Sequence, residues 1–182
     1  MSEITIEQLS ADALPDFLPG LSAMLVACVA QGASIGFLPP LAVEAAEAFW
    51  RGLVPGLADG SRRMLVARQQ GRLVGTGALL PATLPNGRHR AEISKLMVHP
   101  AARRQGIGAA LMSALETMAA REGRWLLVLD TLDGDAGQAM YRSLGWQDAG
   151  IVPDYALVPQ DNGAEGATAT AATRFMFKRL PR

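Results

Sequence analysis

Lys95-Leu96-Met97-Val98-His99-Pro100, followed by Arg103-Arg104-Gln105-Gly106-Ile107-Gly108-Ala109, is the stretch on which the fold turns. Ala91–Val98 reads as a strand, with Pro100 closing it. After the glycines, Ile107, Leu111, Ala114/Leu115 and Met118 recur on one face of a helix expected over Arg104–Arg121, with Gly123 as its stop. A strand delivers the chain to a helix N-terminus whose first N–H groups are unpaired. The helix dipole favours anions there, and glycines let a pyrophosphate approach the main chain. Arg103 and Arg104 add positive charge beside it.

Three phosphate-binding patterns compete for this segment. A P-loop needs Lys-Ser/Thr after its last glycine, and nothing after Gly108 supplies the pair. A dinucleotide fingerprint wants a small third residue where the helix meets its strand. Gly106 and Gly108 fit, and Asp130 ends the next strand where a ribose-binding acid could sit, but the third position is the bulky Leu111. The pattern Arg/Gln-x-x-Gly-x-Gly/Ala is met in full by Arg103, Gly106 and Gly108. By spacing alone it also describes a helix start with solvated arginines.

Upstream, Ile4–Leu9 alternates like a strand. Leu14–Ala30 reads as a helix interrupted by Pro19-Gly20, and Leu41–Leu57 as another, with Val43, Ala46 and Trp50 at helical spacing. Met64–Arg68 and Leu73–Leu80 form a hairpin around Gln70-Gly71, and Pro81–Arg90 is a turn-rich connection. Downstream, Trp125–Leu129 is apolar on both faces, which suits a central strand covered by helices on both sides. A short helix, about Ala136–Leu144, stops at Gly145. Strands Trp146–Val152 and Arg174–Lys178 follow, joined by a Gly/Ala/Thr-rich hairpin loop, Asn162–Ala172. Without repeat or composition break, residues 1–182 read as one domain with a mixed α/β sheet flanked by helices.

Composition narrows the function classes. Lys+Arg and Asp+Glu both number 17, so the net charge is zero and no basic stripe suggests nucleic acid or an acidic lipid surface. The single Cys28 lies in an apolar run and reads as a small core residue rather than a nucleophile. Met1-Ser2-Glu3-Ile4 does not resemble a signal peptide, and no apolar run of roughly 18 residues could span a bilayer. The expected location is the cytoplasm. His89 and His99 lack metal-site spacing, so no metal is expected.

Lys95–Pro100, the glycine segment, the apolar strand Leu126–Leu129 and Tyr141-Arg142-Ser143-Leu144-Gly145-Trp146 together resemble the GCN5-related N-acetyltransferase (GNAT) superfamily. Within it, the chain is similar to the tabtoxin-resistance acetyltransferases. Gly32–Phe37, Arg90-Ala91-Glu92, Lys95–Val98, Leu129-Asp130-Thr131 and Pro153-Asp154-Tyr155 carry that closer likeness. Many relatives have Asn seven residues before the tyrosine, where this chain has Gly134. The resemblance implies a GNAT fold of about six to seven strands and about four helices. It also implies acetyl-CoA as co-substrate, held by Leu96, Met97, Val98, Arg103, Arg104, Gln105, Gly106, Ile107, Gly108 and Ala109. Leu96 and Met97 would pair with the pantetheine arm like an added strand, and the Val98 N–H would face the oxyanion. Superfamily members often pair, so a homodimer is an option, although no interface can be read from this chain.

Acetyl transfer to an amine requires deprotonation of the amine, stabilisation of the oxyanion and protonation of the departing thiolate. The resemblance implies Tyr141 as the acid; otherwise its ring simply packs in a helix. It implies Glu92 and Asp130 as the base pair, acting together or holding the ammonium ion. Otherwise Glu92 is a solvated strand-start charge and Asp130 a turn carboxylate. Gly32–Phe37 would lie over the acceptor, with Ser34 bonding it and Phe37 packing on it, or would be an interhelical turn with an anchoring aromatic. The expected acceptor is the primary amine of a small molecule, a toxin or antibiotic among them. A protein N-terminus or lysine, and a non-catalytic acyl-CoA sensor, are the alternatives.

Overall fold

Gln70 and Gly71 both have positive φ, 51° and 74°, as a two-residue type I′ hairpin turn requires. They join β2 (Arg63–Gln69) to β3 (Arg72–Pro81). The computed structural model describes residues 3–159 and 168–181. Around this hairpin the described residues form a seven-stranded sheet in the order β1-β2-β3-β4-β5-β7-β6. The other strands are β1 (Ile4–Gln8), β4 (Arg90–Val98), β5 (Leu126–Leu132), β6 (Gln147–Pro159) and β7 (Thr168–Arg179). Only β4 and β5 run parallel. Their connection carries α4 (Ile107–Arg121), the crossover helix that parallel neighbours need.

Helices cover the sheet from both sides. On one face α1 (Leu14–Ala30) and α2 (Val43–Arg51) bury Leu21, Leu25 and Trp50 against Met64 and Val66 of β2 and Met97 of β4. On the other, Ile107, Leu111 and Leu115 of α4 meet Leu65, Ala67, Leu127 and Leu129. Strand β2 thus feeds alternate residues to two cores, the period-two geometry of a pleated strand. No helix of the described residues is long and apolar enough to cross a membrane.

Several expectations are corrected. Pro19 does not interrupt α1, which runs unbroken; Gly20 lies against β3, where a Cβ would come 3.3 Å from Leu73 Cδ2. Burial of Leu14, Leu18, Leu21 and Leu25 offsets the roughly 3 kcal/mol an interior proline costs. The helix expected over Leu41–Leu57 is two, α2 and α3 (Val54–Asp59), because Pro55 has no N–H to continue the ladder and instead occupies a first turn. Helix α4 starts at Ile107, since Arg104 and Gly106 are left-handed (φ 64° and 81°). Strand β5 is not helix-covered on both faces: Leu126 and Val128 are half-buried and belong to neither core. Part of the expected loop, Asn162–Gly166 and Ala167, lies outside the described residues, while Thr168–Ala172 are already strand β7.

The close fit of α4 on β3 depends on bare backbone. A Cβ on Gly75 would lie 2.9 Å from Leu111 Cδ1, 3.0 Å from the Met97 carbonyl oxygen and 3.1 Å from Ile107 Cγ2. Gly75→Ala is expected to destabilise the fold by about 1–3 kcal/mol, the usual cost of overpacking. Denaturant titration checks this against Gly150→Ala, where nothing lies within 4 Å and no loss is expected.

Candidate functional site

A bulge in β4 opens the site. Opposite Gly77 of β3 the register skips from Met97 to Ser94, so β4 holds one extra residue there. Lys95 sits at φ 52° at this point. Beyond the bulge the side chains change faces, Met97 packing with α1 and α2 while Leu96 and Val98 lie against the α4 core. Pairing of β4 with β5 covers only Arg90–Glu92 against Leu126–Val128. Past Glu92 and Val128 the two parallel strands separate.

The gap is a cleft lined on one side by Ile93–Val98 and on the other by Leu129–Leu132. At one end lie Arg103, Arg104 and the α4 N-terminus, Gly106–Ala109. At the other end the loop after α1 contributes Gln31–Gly36, and Tyr155 of β6 reaches in from the far edge. Nothing lies within 4 Å of a Cβ built on Gly106, so the main chain is exposed there, whereas Gly108 is closed by Met140 Sδ at 3.0 Å. A separate, more open hollow between β1 and α4, lined by Ile6, Ala114 and Met118, holds none of the candidate residues.

Tyr141 of α5 (Gly137–Ser143) lines the cleft and is only 9% exposed. Burial, with the negative charges of Asp135 and Asp130 nearby, pushes its pKa up to about 12. The phenol therefore stays protonated. Its ring leans on Trp146, whose indole donates to Glu116 Oε1 at 2.9 Å; Lys178 Nζ donates to the other oxygen of Glu116 at 2.7 Å. This half-buried network ties α4, β7 and the end of α5 together.

Asp130 lies two residues beyond Val128, the register partner of Glu92, so both carboxylates share one face of the sheet. Both are exposed. Burial around its carboxyl, then the like charge of Asp130, raises the Glu92 pKa, against the pull of Arg62, Lys95 and Arg90. Asp130 lines the cleft; Glu92 borders it without lining it.

The remaining sequence candidates divide. Ser34, Leu96, Met97, Val98, Arg103, Arg104, Gly106, Ile107, Gly108 and Ala109 all line the cleft. Gln105 does not: its side-chain oxygen accepts from Gln69 Nε2 at 3.0 Å. Phe37 is also outside, its ring edge-on to Phe49 of α2 at 5.0 Å. Gly134 takes φ 83° in the turn before α5, and its neighbour Asp133 is bound by Arg174 Nε at 2.8 Å. Three cleft residues were not assigned to the site from the sequence, although Lys95 and Tyr155 lie in stretches that carried the resemblance. Lys95 reaches Ile35 O with Nζ at 2.9 Å, and its signal was a charge inside an apolar strand. The buried Cys28 thiol lies 3.6 Å from Val98 O. Burial raises its pKa, although Arg103 beside it pulls the other way. Tyr155 had no periodic signal, because β6 is longer than its alternation suggests.

Residues 60–148 match the acetyltransferase (GNAT) domain family. An IAA acetyltransferase from Azospirillum brasilense is 36% identical over 104 residues, which span 57% of this chain and 66% of that protein. Among solved structures, the ribosomal-protein-alanine N-acetyltransferase of Brucella melitensis matches with a TM-score of 0.72 and 25% identity over 97% of this chain and 99% of that one. The yncA protein of Salmonella typhimurium, solved with its cofactor acetyl-CoA, matches with a TM-score of 0.73 and 19% identity over 98% of this chain and 95% of that one. The chain has the GNAT fold, and its residues 60–148 match the acetyltransferase domain of that superfamily.

Proposed function

We propose that this protein is an acetyl-CoA-dependent N-acetyltransferase that moves the acetyl group directly onto the primary amine of a small molecule. The observation that carries this reading is the separation of β4 from β5 beyond Glu92 and Val128. It leaves Leu96–Val98 facing a cleft with the exposed Gly106 backbone at one end and Asp130 across from it.

The residues fit acetyl-CoA, which would supply an activated acetyl thioester. Unpaired N–H groups at the start of α4, with Arg103 and Arg104, suit its pyrophosphate. The β4 edge suits an extended amide chain added like a strand, and the Val98 N–H is the oxyanion donor in this reading. Asp130 and Glu92 take the proton of the incoming amine, directly or through water, and Tyr141 gives a proton to the departing sulfur. A phenol kept neutral by burial is suited to that donation. Ser34 and the Gly32–Gly36 loop form the acceptor side.

Paired carboxylates favour a cationic amine as acceptor. The likeness to tabtoxin-resistance enzymes at Glu92 and Asp130 supports a toxin or antibiotic with a free amino group. A protein N-terminus is the second reading, favoured by the likeness to the Brucella melitensis enzyme, whose name gives a ribosomal-protein alanine as its acceptor. A thiol-release assay with acetyl-CoA against small amines, amino-acid-like toxins, aminoglycosides and N-terminal peptides separates the two. Saturable release with one class names the acceptor; no release with any amine, despite acetyl-CoA binding, sinks the catalytic reading.

Tyr141→Phe is expected to lower kcat by about 10²–10⁴-fold, the usual worth of a positioned proton donor, and an unchanged rate would remove Tyr141 from the chemistry. Glu92→Gln combined with Asp130→Asn should cut turnover while leaving acetyl-CoA affinity intact, as measured by calorimetry. In pH–rate profiles the base must be unprotonated, and the Glu92 pKa is raised. Activity should therefore rise with pH through an ionisation above the ordinary carboxylate range. Asp130→Asn removes a like charge and should move that limb to lower pH, while Tyr141 adds no alkaline limb near neutrality.

A further inference from the structure

We propose that Lys95 is a positioning residue that ties the loop 31–37 to the β4 bulge and thereby sets the acceptor half of the cleft. The inference rests on the reading of that half as the amine site. Lys95 holds a left-handed backbone, φ 52°, which a non-glycine side chain adopts at a cost. The bulge breaks the strand's alternation and places the lysine in the wall of the cleft beside the loop. From there Nζ donates to Ile35 O at 2.9 Å and stands 5.7 Å from the Phe49 ring.

The loop is shaped to receive it. Gly36 has φ 92°, and a Cβ there would lie 3.3 Å from Lys95 Nζ. One residue further, Phe37 packs edge-on to the same Phe49. Ile35 and Phe37 are thus pinned to the floor and to α2, and Ser34, exposed and lining the cleft, is presented from a fixed stretch of backbone. A hydrogen bond from a charged donor is roughly twice as strong as a neutral one, so a single ammonium can hold a glycine-rich loop. Burial, with Arg62 adding to it, lowers the Lys95 pKa, and Asp130 and Glu92 pull the other way.

The test pairs Lys95→Met with Gly36→Ala. Amide hydrogen exchange across residues 33–37 should quicken about tenfold in Lys95→Met, as loss of a charge-assisted bond predicts. Exchange in β2 and α4 should not change. With the acceptor found in the thiol-release assay, its KM should rise about tenfold while acetyl-CoA affinity stays within about twofold. Gly36→Ala strains the left-handed backbone at φ 92° as well as crowding Nζ, so it should loosen the loop at least as much as Lys95→Met. Unchanged loop exchange in Lys95→Met, or acetyl-CoA affinity falling in step with acceptor KM, would overturn the proposal. If Lys95→Met loses its fold, Lys95→Gln, which removes the ammonium and keeps a polar tip, gives the same readout. If the unmodified protein acetylates no amine, the functional reading falls, and hydrogen exchange still decides the tether.

Discussion

The bulge of β4 at Lys95 and the parting of β4 from β5 form the constraint on which the rest of the structure depends. A parallel pair held in register along its length would have satisfied its main-chain groups internally and left no cleft. Here the ladder stops at Glu92 and Val128. Beyond it, β4 serves three neighbours at once: β3 through its antiparallel register, α4 through Leu96 and Val98, and α1 with α2 through Met97. Gly77 opposite the bulge leaves room for this, since a Cβ there would come 2.8 Å from Leu115 Cδ1 and 3.1 Å from Leu96 Cδ1.

Charge is distributed along the cleft with a corresponding logic. The anion-favouring end combines the α4 N-terminus with Arg103 and Arg104. Asp130 in the opposite wall and Glu92 at its border are balanced by Lys95, Arg62 and Arg90. The Glu92 pKa is raised first by burial and then by the like charge of Asp130, against the pull of these cations. Tyr141 is neutral for a different reason: it is buried beneath the turn fixed by Glu116, Lys178 and Trp146.

That turn is held by a half-buried ion pair, in which Glu116 and Lys178 keep 15% and 21% of their side-chain surfaces exposed. Lys178 Nζ also donates to Leu144 O at 2.6 Å, at the C-terminal end of α5. Its partners lie on α4 and β7, remote in sequence from one another, so α5 is located by tertiary bonding more than by its own seven residues.

The glycine segment, the helical face of Ile107, Leu111, Leu115 and Met118, the Gln70-Gly71 turn and Trp50 as a core residue were all legible in the sequence, because each is a local pattern with a local physical cause. The likeness to the superfamily was legible for the same reason: its motifs are contiguous and carry their own backbone requirements. The split at Pro55 was available too, since a missing N–H acts within its own turn. Three things came only from the tertiary structure. Pro19 stays inside a continuous helix because burial against the sheet outweighs its local penalty. One face of β5 stays open because α1 and α2 pack over β2 and β4 and go no further. Lys95, a charge in an apolar strand, becomes a cleft residue because a bulge turns it away from the alternation that its neighbours follow. Sequence period determines which face a side chain occupies only while the ladder is regular, and in this protein the cleft begins where that regularity ends.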